Sequence, residues 1–460
     1  VIHSRLASGE RYDEWRKIQE EKVKVVIGAR SALFAPFKNV GLIIIDEEHE
    51  TSYKQEENPK YHARDIAIYR GQYHHAPVVL GSATPALESY ARAKKGVYSL
   101  LTLKGRVQDR LLPKVEIVDM REELQTGNRT MFSKALYEKI IERLERKEQI
   151  VLFLNRRGYS TFVMCRDCGY VLQCPHCDIS LTYHKIHQYN RCHYCGHTEP
   201  ILEQCPECHS EHIRFFGTGT QKVEEELYKH FPGIRVIRMD VDTTQQKNAH
   251  EKLLQAFKAQ KADCLLGTQM IAKGLDFERV TLVGVIAADS LLHLPDFRAS
   301  EKTFQLLTQV SGRAGRHELP GEVVIQSYTP DHYSIIAASE HDYLSFYQQE
   351  MQIRHTRGYP PYFYLTLITF THEDLVYLVK VCEEAVRWLK SHIQGSSMIL
   401  GPVASPIPRI KDRYRYQCMI KYRDEPNLGV ILTQFLEQIR EHMEKKKLQV
   451  QIDKNPQMLM

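Results

Sequence analysis

Eight cysteines in four CxxC pairs are the residues whose type and spacing speak most directly of chemistry. The pairs are Cys165/Cys168, Cys174/Cys177, Cys192/Cys195 and Cys205/Cys208, separated by five, fourteen and nine residues. Two such pairs supply the four thiolates that a tetrahedral Zn²⁺ takes, so eight cysteines make two closed structural sites. Spacing leaves the pairing open. A nested arrangement joins Cys165, Cys168, Cys205 and Cys208 around one ion, and Cys174, Cys177, Cys192 and Cys195 around the other; sequential and crossed arrangements use the same residues. His176, His193 and His197 lie nearby and are unnecessary if both sites are made of four cysteines. A disulfide framework belongs to small secreted chains, and a 460-residue chain is not small. Cys264, Cys382 and Cys418 stand alone and read as small buried apolar residues.

A second set of residues points to nucleotide chemistry. DEEH at 46–49 ends the apolar run 41–45. Asp46 would hold the hydration shell of Mg²⁺, and Glu47 would orient and deprotonate an attacking water. The plainer alternative is an acidic helix start. GSATP at 81–85 follows the apolar VVL, and Ser82 and Thr84 offer hydroxyls there, or a capped turn. In LLGTQMIAKGLDF at 265–277, Gly267 and Thr268 suit a nucleic-acid phosphate, and Lys273 to Asp276, Gly274 included, would lie near the nucleotide. QVSGRAGR at 309–316 offers Gln309, Arg313 and Arg316. Two arginines three apart share a helix face and could clamp a γ-phosphate across a cleft, a contribution of roughly 10³–10⁵ in rate where such residues act.

These residues need strands that end where the chemistry begins. VKVVIG at 23–28, VGLIIIDE at 40–47 and APVVLGSATP at 76–85 read as buried strands, with a helix over 10–22. This is the alternation of an α/β, doubly wound sheet, whose ligands sit at the carboxyl ends of the strands. Residues 105–132 read as an irregular link. A helix over 133–149, N-capped by Ser133, carries Leu136, Ile140, Ile141 and Leu144 at helical spacing. The strand 150–155 follows, then the cysteines, and the α/β pattern resumes near 213 and runs to about 330. The remainder, 331–460, opens with a helix near 334–353. With 43% apolar and 26% charged residues and a net charge of +5, the chain is of globular type, and no apolar run approaches a membrane span.

The motifs occur in the order DEEH, GSATP, GTQMIAKGLDF, QVSGRAGR. That order resembles motifs II, III, V and VI of superfamily 2 helicases, over about residues 1–330. The zinc insertion within the second lobe resembles the PriA family of replication-restart DNA helicases, as do FLNRRGYS at 153–160 and LPDFRASEKTFQLLTQVSGRAGR at 294–316. The resemblance implies two RecA-like motor lobes, the first incomplete (1–104), joined by the link 105–132 to the second (133–330), with a zinc insertion at about 160–212 and a C-terminal α+β, DNA-binding domain (331–460). It implies nested zinc sites, and it makes His49, Ser82, Thr84, Gly274, Asp276 and Gln309 nucleotide-binding or coupling residues. ETSYKQEENPKYHARD at 50–65 is similar to the family's aromatic-rich loop, in which Tyr53 and Tyr61 would stack on bases while Lys54, Lys60 and Arg64 meet phosphates. In PRIKDRYRYQCMIKYR at 408–423, Arg409, Lys411, Arg413 and Arg415 alternate along an apparent strand and would line one face toward DNA; a charge-guarded edge strand reads equally well.

The family function is that of an ATP-dependent 3′→5′ DNA helicase, which recognises stalled or branched forks and initiates primosome assembly. Its cofactors are two Zn²⁺ and ATP with Mg²⁺. Its partners are forked and single-stranded DNA, single-strand DNA-binding protein and helicase-loading proteins, with a cytoplasmic, nucleoid-associated setting and no membrane. The sequence opens on Val1 within a strand-like segment and contains no GxxxxGK[ST] loop to cradle the phosphates. The expectation is that an N-terminal part is missing and that these residues alone bind ATP poorly and do not hydrolyse it. Two other readings remain: a non-catalytic, zinc-bearing DNA-binding scaffold for replication proteins, and an RNA-directed or chromatin-remodelling motor.

Overall fold

A computed structural model of the chain describes residues 1–460 apart from 4–5, 104, 106–111, 155–161, 185–187, 217–218, 241–242, 245–248, 272–276, 316–318, 394, 396, 458 and 460, and the side chains of 215–216. The chain divides into two compact units, Val1–Leu100 and Leu101–Met460. Among the described residues, no helix is long and apolar enough to cross a membrane.

In the first unit, the apolar runs before DEEH and GSATP become strands Ile43–Ile45 and Val78–Leu80, paired in parallel. Helix Ala63–His74 connects them and ends at His75 in the left-handed region. Gly71 lets the helix lie close: a Cβ there would meet Val78 Cγ2 at 2.5 Å. The strand expected at 23–28 is not formed. Only Gly28 bridges, to Ile2, and Val25 and Ile27 are 76% and 69% exposed. β-branched residues make a strand only with a neighbour to pair along their length.

The second unit is built on a six-stranded parallel sheet in the order Val236–Met239, Cys264–Gly267, Gln149–Phe153, Val280–Val285, Glu322–Ser327, Lys114–Asp119. The strands 149–153, 264–267 and 280–285 are buried throughout, as sheets covered on both faces require. Helix Lys134–Glu145 covers one face, its cap Ser133 accepting from Leu136 N at 3.2 Å. Leu136 and Ile140 are fully buried, while Ile141 is 37% exposed.

Two expectations are corrected here. The stretch 105–132 is not simply a link: it holds the edge strand Lys114–Asp119 and helix Met120–Gln125. An edge strand is only half covered, so KVEIVD lacks the continuous apolar signal. And Ile213–Phe216 does not resume the parallel sheet. It pairs antiparallel with Phe162–Cys165 in a ribbon that carries the cysteine module, and the sheet resumes at Val236, after helix Thr220–His230.

Beyond the sheet come helices Tyr333–Ser339 and Tyr343–Arg357, two where one was expected. The order then runs strand Tyr364–His372, helix Leu375–His392, strands Met398–Ile410 and Arg413–Tyr422, helices Leu428–Gln438 and Arg440–Lys446, and strand Gln449–Lys454. Strand Tyr364–His372 lies between Arg413–Tyr422 and Gln449–Lys454, with Met398–Ile410 at the far edge, a split βαββαβ, ferredoxin-like arrangement. On one face Ile368, Phe370, Cys418 and Ile420 pack with Leu378, Val386, Leu432 and Phe435. On the other, Leu365, Leu367, Leu400 and Met419 join the cluster of the cysteine module.

Candidate metal and motor sites

The four CxxC pairs fold as four copies of one turn. The first cysteine's N–H donates to the carbonyl five residues on: Cys165 to Tyr170, Cys174 to Ile179, Cys192 to His197 and Cys205 to Ser210, at 2.8–2.9 Å. Its carbonyl accepts from Gly169, Asp178, Gly196 and His209 respectively, at 2.9–3.0 Å. Each of these four residues has a positive φ, between 55° and 85°. The turn aims both thiols of a pair to one side.

The turns assemble in the nested arrangement. Cys165, Cys168, Cys205 and Cys208 form one group and Cys174, Cys177, Cys192 and Cys195 the other, with the sulfurs of each group within 4.8 Å of one another. Zinc–sulfur bonds of about 2.3 Å give a tetrahedron with edges of roughly 3.8 Å. Sγ separations of 3.6 Å (Cys165–Cys208), 3.5 Å (Cys168–Cys205) and 3.5 Å (Cys174–Cys195) lie close to that edge. All eight thiols are free of disulfides. The residues fit two Zn²⁺, which would supply structure and no open coordination position. His193 is not drawn in as a ligand. It is buried, its Nδ1 lies 3.2 Å from the Ala404 carbonyl, and burial depresses its pKa to about 4.

In the first unit the two motifs at the strand ends are tied together. Gly81 N donates to Ile45 O at 2.8 Å, and Glu48 N to Gly81 O at 3.0 Å. His49 Nδ1 lies 2.7 Å from Ser82 Oγ and 3.6 Å from Glu47 Oε2. Ser82 Oγ accepts from Thr84 N at 3.0 Å. Asp46 is exposed; its Oδ1 accepts from Glu47 N at 3.0 Å, with Glu47 at φ 48°. The site therefore presents Asp46 and a half-exposed Glu47 beside a histidine that bridges the two strand ends.

The residue that sequence reasoning missed is Glu48, between them. It is 2% exposed. Its Oε1 accepts from Ala86 N at 2.7 Å, and its Oε2 from Arg64 Nη1 and Ser89 Oγ at 2.8 Å each. Nothing in DEEH distinguishes it from its neighbours; only the turn places the third residue on the buried side. This corrects the expectation for Arg64, which is 7% exposed and held by a carboxylate rather than offered to a phosphate.

Tyr53, Lys54 and Tyr61 of the loop 50–62 also turn inward. Lys54 is buried. Tyr53 Oη donates to the Asp46 carbonyl at 2.7 Å, and burial, with the charges of Asp46, Glu50 and Glu47, raises its pKa. Tyr61 packs edge-on against Phe34 at 5.2 Å, under the Arg30 guanidinium. Arg30 donates to the Ser52 carbonyl at 3.0 Å and to that of Lys54. In this conformation the exposed tip is Glu56–Glu57–Asn58–Pro59, and Tyr53 and Tyr61, expected to meet bases, and Lys54, expected to meet phosphate, are packed against the unit.

In the second unit, Thr268 follows strand Cys264–Gly267 and is 8% exposed. A Cβ at Gly267 would meet Met239 O at 2.6 Å, so the close approach requires glycine. Lys273, Gly274 and Asp276 lie outside the described residues. Gln309 is on helix Ala299–Ser311. Helix Ala299–Ser311 ends before Arg313, which lies in the following turn, closed by Gly315 at φ 63°. Arg316 lies outside the described residues.

The basic strand near the C-terminus is also corrected. Lys411 and Asp412, at φ 48° and 59°, make a two-residue hairpin turn. Arg409 therefore lies opposite Tyr414 and Ile410 opposite Arg413, and the four cations do not line one strand. Arg409 pairs with Asp412 at 3.0 Å and lies over the Tyr414 ring. Arg413 pairs with Glu373 at 2.9 Å and donates to the Lys447 carbonyl at 2.7 Å.

Comparison with known families agrees with this architecture. The chain matches the DEAD/DEAH box helicase family over residues 1–93 and the helicase conserved C-terminal domain over 201–318. It matches the PriA DNA helicase Cys-rich region over 174–200 and the primosomal protein N C-terminal domain over 355–457. It is 64% identical over 460 residues to the replication restart protein PriA of Bacillus subtilis, covering all of this chain and 57% of that protein. It is 49% identical over 431 residues to that of Synechocystis, covering 92% of this chain and 52% of the relative. The chain thus spans about half the length of these relatives. Similar solved structures include RecG bound to a three-way DNA junction (14% identity, TM-score 0.38, 76% of this chain and 38% of that one) and Mss116p bound to single-stranded RNA and AMP-PNP (11%, 0.39, 74% and 54%).

Proposed function

Because this chain belongs to the PriA family, we propose that it is the motor and zinc-bearing part of an ATP-dependent 3′→5′ DNA helicase that acts on stalled or branched forks and initiates primosome assembly. The observation that carries the reading is the ribbon Phe162–Cys165/Ile213–Phe216, which sets two four-cysteine sites into a parallel helicase sheet. Asp46 would bind Mg²⁺ with ATP, Glu47 would polarise the attacking water, and His49, Ser82 and Thr84 would carry the change at the phosphate between the two strand ends. In the second unit, Gly274, Asp276, Gln309, Arg313 and Arg316 would serve nucleotide binding or its coupling, and Thr268 would meet the DNA backbone. Tyr53, Tyr61 and Lys54 would reach DNA only after the loop 50–62 turns outward. Arg409 and Lys411 at the hairpin turn are the C-terminal candidates for phosphate contact. Single-strand DNA-binding protein and helicase-loading proteins would be the protein partners, in the cytoplasm near the nucleoid.

These 460 residues contain no GxxxxGK[ST] loop, so by themselves they favour the behaviour of a zinc-bearing DNA-binding scaffold. The test compares this chain with the same chain extended upstream by a phosphate-loop segment, on forked DNA. DNA-stimulated ATP hydrolysis and unwinding from the 3′ side in the extended form are expected. No stimulation after extension would leave the scaffold reading, and a preference for duplex RNA over forked DNA would end the restart assignment.

A further inference from the structure

The two four-cysteine groups rest on different parts of the second unit. The first lies at the carboxyl end of the parallel sheet. A Cβ on Gly169 would be 2.4 Å from the Tyr328 carbonyl, just past strand Glu322–Ser327. Arg121, on the helix after the edge strand, donates to the Cys168 carbonyl at 3.4 Å and pairs with Asp119. Tyr328 and Thr329 are in turn held by the buried Asp289, which accepts from both backbone N–H groups at 2.9 and 3.0 Å. The outer side of this group turns back on its own ribbon, where Asp167 accepts from Ser210 Oγ at 2.5 Å and lies 2.9 Å from His212 Nδ1.

The second group rests on the C-terminal sheet. Tyr359 Oη donates to the Cys177 carbonyl at 2.8 Å. Gln417 Nε2 donates to the His193 carbonyl at 3.1 Å, and His193 Nδ1 lies 3.2 Å from the Ala404 carbonyl. Arg357 pairs with Asp178 at 3.1 Å. A Cβ on Gly196 would meet Val403 Cγ1 at 2.9 Å. The same turn reaches the segment that enters the motor helix 299–311. Tyr194, 2% exposed, accepts from Phe297 N at 3.4 Å. The Phe297 ring stacks on Tyr359 at 4.5 Å and an interplanar angle of 3°, and Arg354 and Lys421 cover the two rings.

We propose that the cysteine module is a two-metal bracket, in which zinc at Cys165/Cys168/Cys205/Cys208 seats it on the motor sheet, while zinc at Cys174/Cys177/Cys192/Cys195 separately fixes the C-terminal sheet and the segment 294–298, through the latch Tyr194–Phe297–Tyr359. Tyr359 is a positioning residue in this scheme: it ties one zinc turn to the stretch that leads to Gln309 and Arg313. The ferredoxin-like sheet consequently commits the residues Leu365, Leu367, Met419 and Leu400 to the zinc module, and that part of its face is closed to nucleic acid.

The inference rests on the reading of the module as two zinc sites, and zinc counting tests that reading by itself. The whole chain is prepared as such and as Cys205→Ser/Cys208→Ser, Cys174→Ser/Cys177→Ser and Tyr359→Leu. Zinc is counted, and hydrogen exchange is followed peptide by peptide. Two zincs are expected in the unsubstituted chain and in Tyr359→Leu, and one in each cysteine variant. Cys174→Ser/Cys177→Ser speeds exchange at least tenfold in 359–368, 400–405 and 417–421, and leaves 114–119 and 322–329 within twofold. Cys205→Ser/Cys208→Ser does the reverse. Tyr359→Leu loosens the same peptides as the second-site variant, with both zincs kept, and it decides the matter if a cysteine variant fails to fold. Equal loosening by both cysteine variants, loss of both zincs from either, or full protection in Tyr359→Leu would overturn the bracket. Fewer than two zincs in the unsubstituted chain would overturn the zinc reading and the bracket with it.

Discussion

Arg64 separates what the loop 50–65 looks like in sequence from what it does in the fold. As a phosphate contact, its loss would weaken single-strand binding, reduce the salt dependence of that binding by about one counterion, and leave stability unchanged. As built, it is the partner of Glu48 at 2.8 Å, both side chains under 10% exposed. Arg64→Ala leaves a buried carboxylate with Ala86 N and Ser89 Oγ as its remaining partners. Removing one member of a buried ion pair costs about 3–5 kcal/mol, a large part of the roughly 5–15 kcal/mol a domain has. With a slope of about 2 kcal/mol per molar urea for a unit of this size, the first unit's midpoint falls by about 2 M. The assay is urea unfolding read by proteolysis within Val1–Leu100, beside single-strand binding by anisotropy at two salt concentrations. Replacing both members together, Glu48→Met with Arg64→Met, should recover most of the loss, because no charge is then stranded. A midpoint within about 0.3 M of the parent (about 0.6 kcal/mol at the same slope) and a reduced salt slope for Arg64→Ala would refute the structural account and restore the phosphate contact.

Three further outcomes follow from the geometry. Burial lowers the pKa of His293 to about 3, so the neutral ring's contribution is complete above the unfolded value near 6.5 and is lost as pH falls toward 3. The advantage of the parent over His293→Gln should shrink by about 3 kcal/mol between pH 7 and pH 4, and a pH-independent gap in paired urea titrations would contradict this; Asp289, whose pKa burial raises, is common to both proteins. Gly321→Ala places a Cβ 2.3 Å from Gly315 N and 2.4 Å from the Ala314 carbonyl carbon. Both are backbone atoms that cannot turn aside, so a loss of about 1–3 kcal/mol is expected in thermal unfolding, and an unchanged midpoint would mean the turn bearing Arg313 is not held by this contact. Finally, ATP turnover by these 460 residues should match the Glu47→Gln background, and turnover clearly above it would show that a GxxxxGK[ST] loop is not needed.

The parts of the fold legible in sequence are those where one physical term dominates. Strands 149–153, 264–267 and 280–285 are buried on both faces, and an uninterrupted apolar run has few other places to go. Edge and ribbon strands hide, because half of their residues answer to solvent: Lys114–Asp119 reads as a link, and Ile213–Phe216 reads as a return to the sheet although its partner is Phe162–Cys165. The hairpin turn at Lys411–Asp412 hides for another reason. It needs positive φ at two residues, and the sequence signals for such turns are Asn-Gly, Asp-Gly and Gly-Gly; here the first is a lysine and no glycine follows, and the 13-residue and 10-residue strands on either side supply the pairing that holds the turn.

The site divides the same way. Cysteine spacing reveals ligands because the metal demands a fixed number of thiolates, but which pair joins which depends on where the ribbon and the sheets place four similar turns, and only the fold decides that. DEEH reveals a strand ending in carboxylates and cannot say that its third residue turns inward to become a buried anchor for Arg64 and Ala86 N. Around the loop 50–62, tyrosine and lysine are equally suited to a base, a phosphate or a protein groove, and their partners in the fold are the Asp46 carbonyl, Phe34 and Arg30. The contact from Tyr53 to the backbone of Asp46 then has a consequence for mechanism. If DNA stacks on Tyr53, as proposed, that hydrogen bond must first be given up, so single-strand binding would free the Asp46 backbone from this contact, and Tyr53→Phe should ease the loop's release while keeping the aromatic ring.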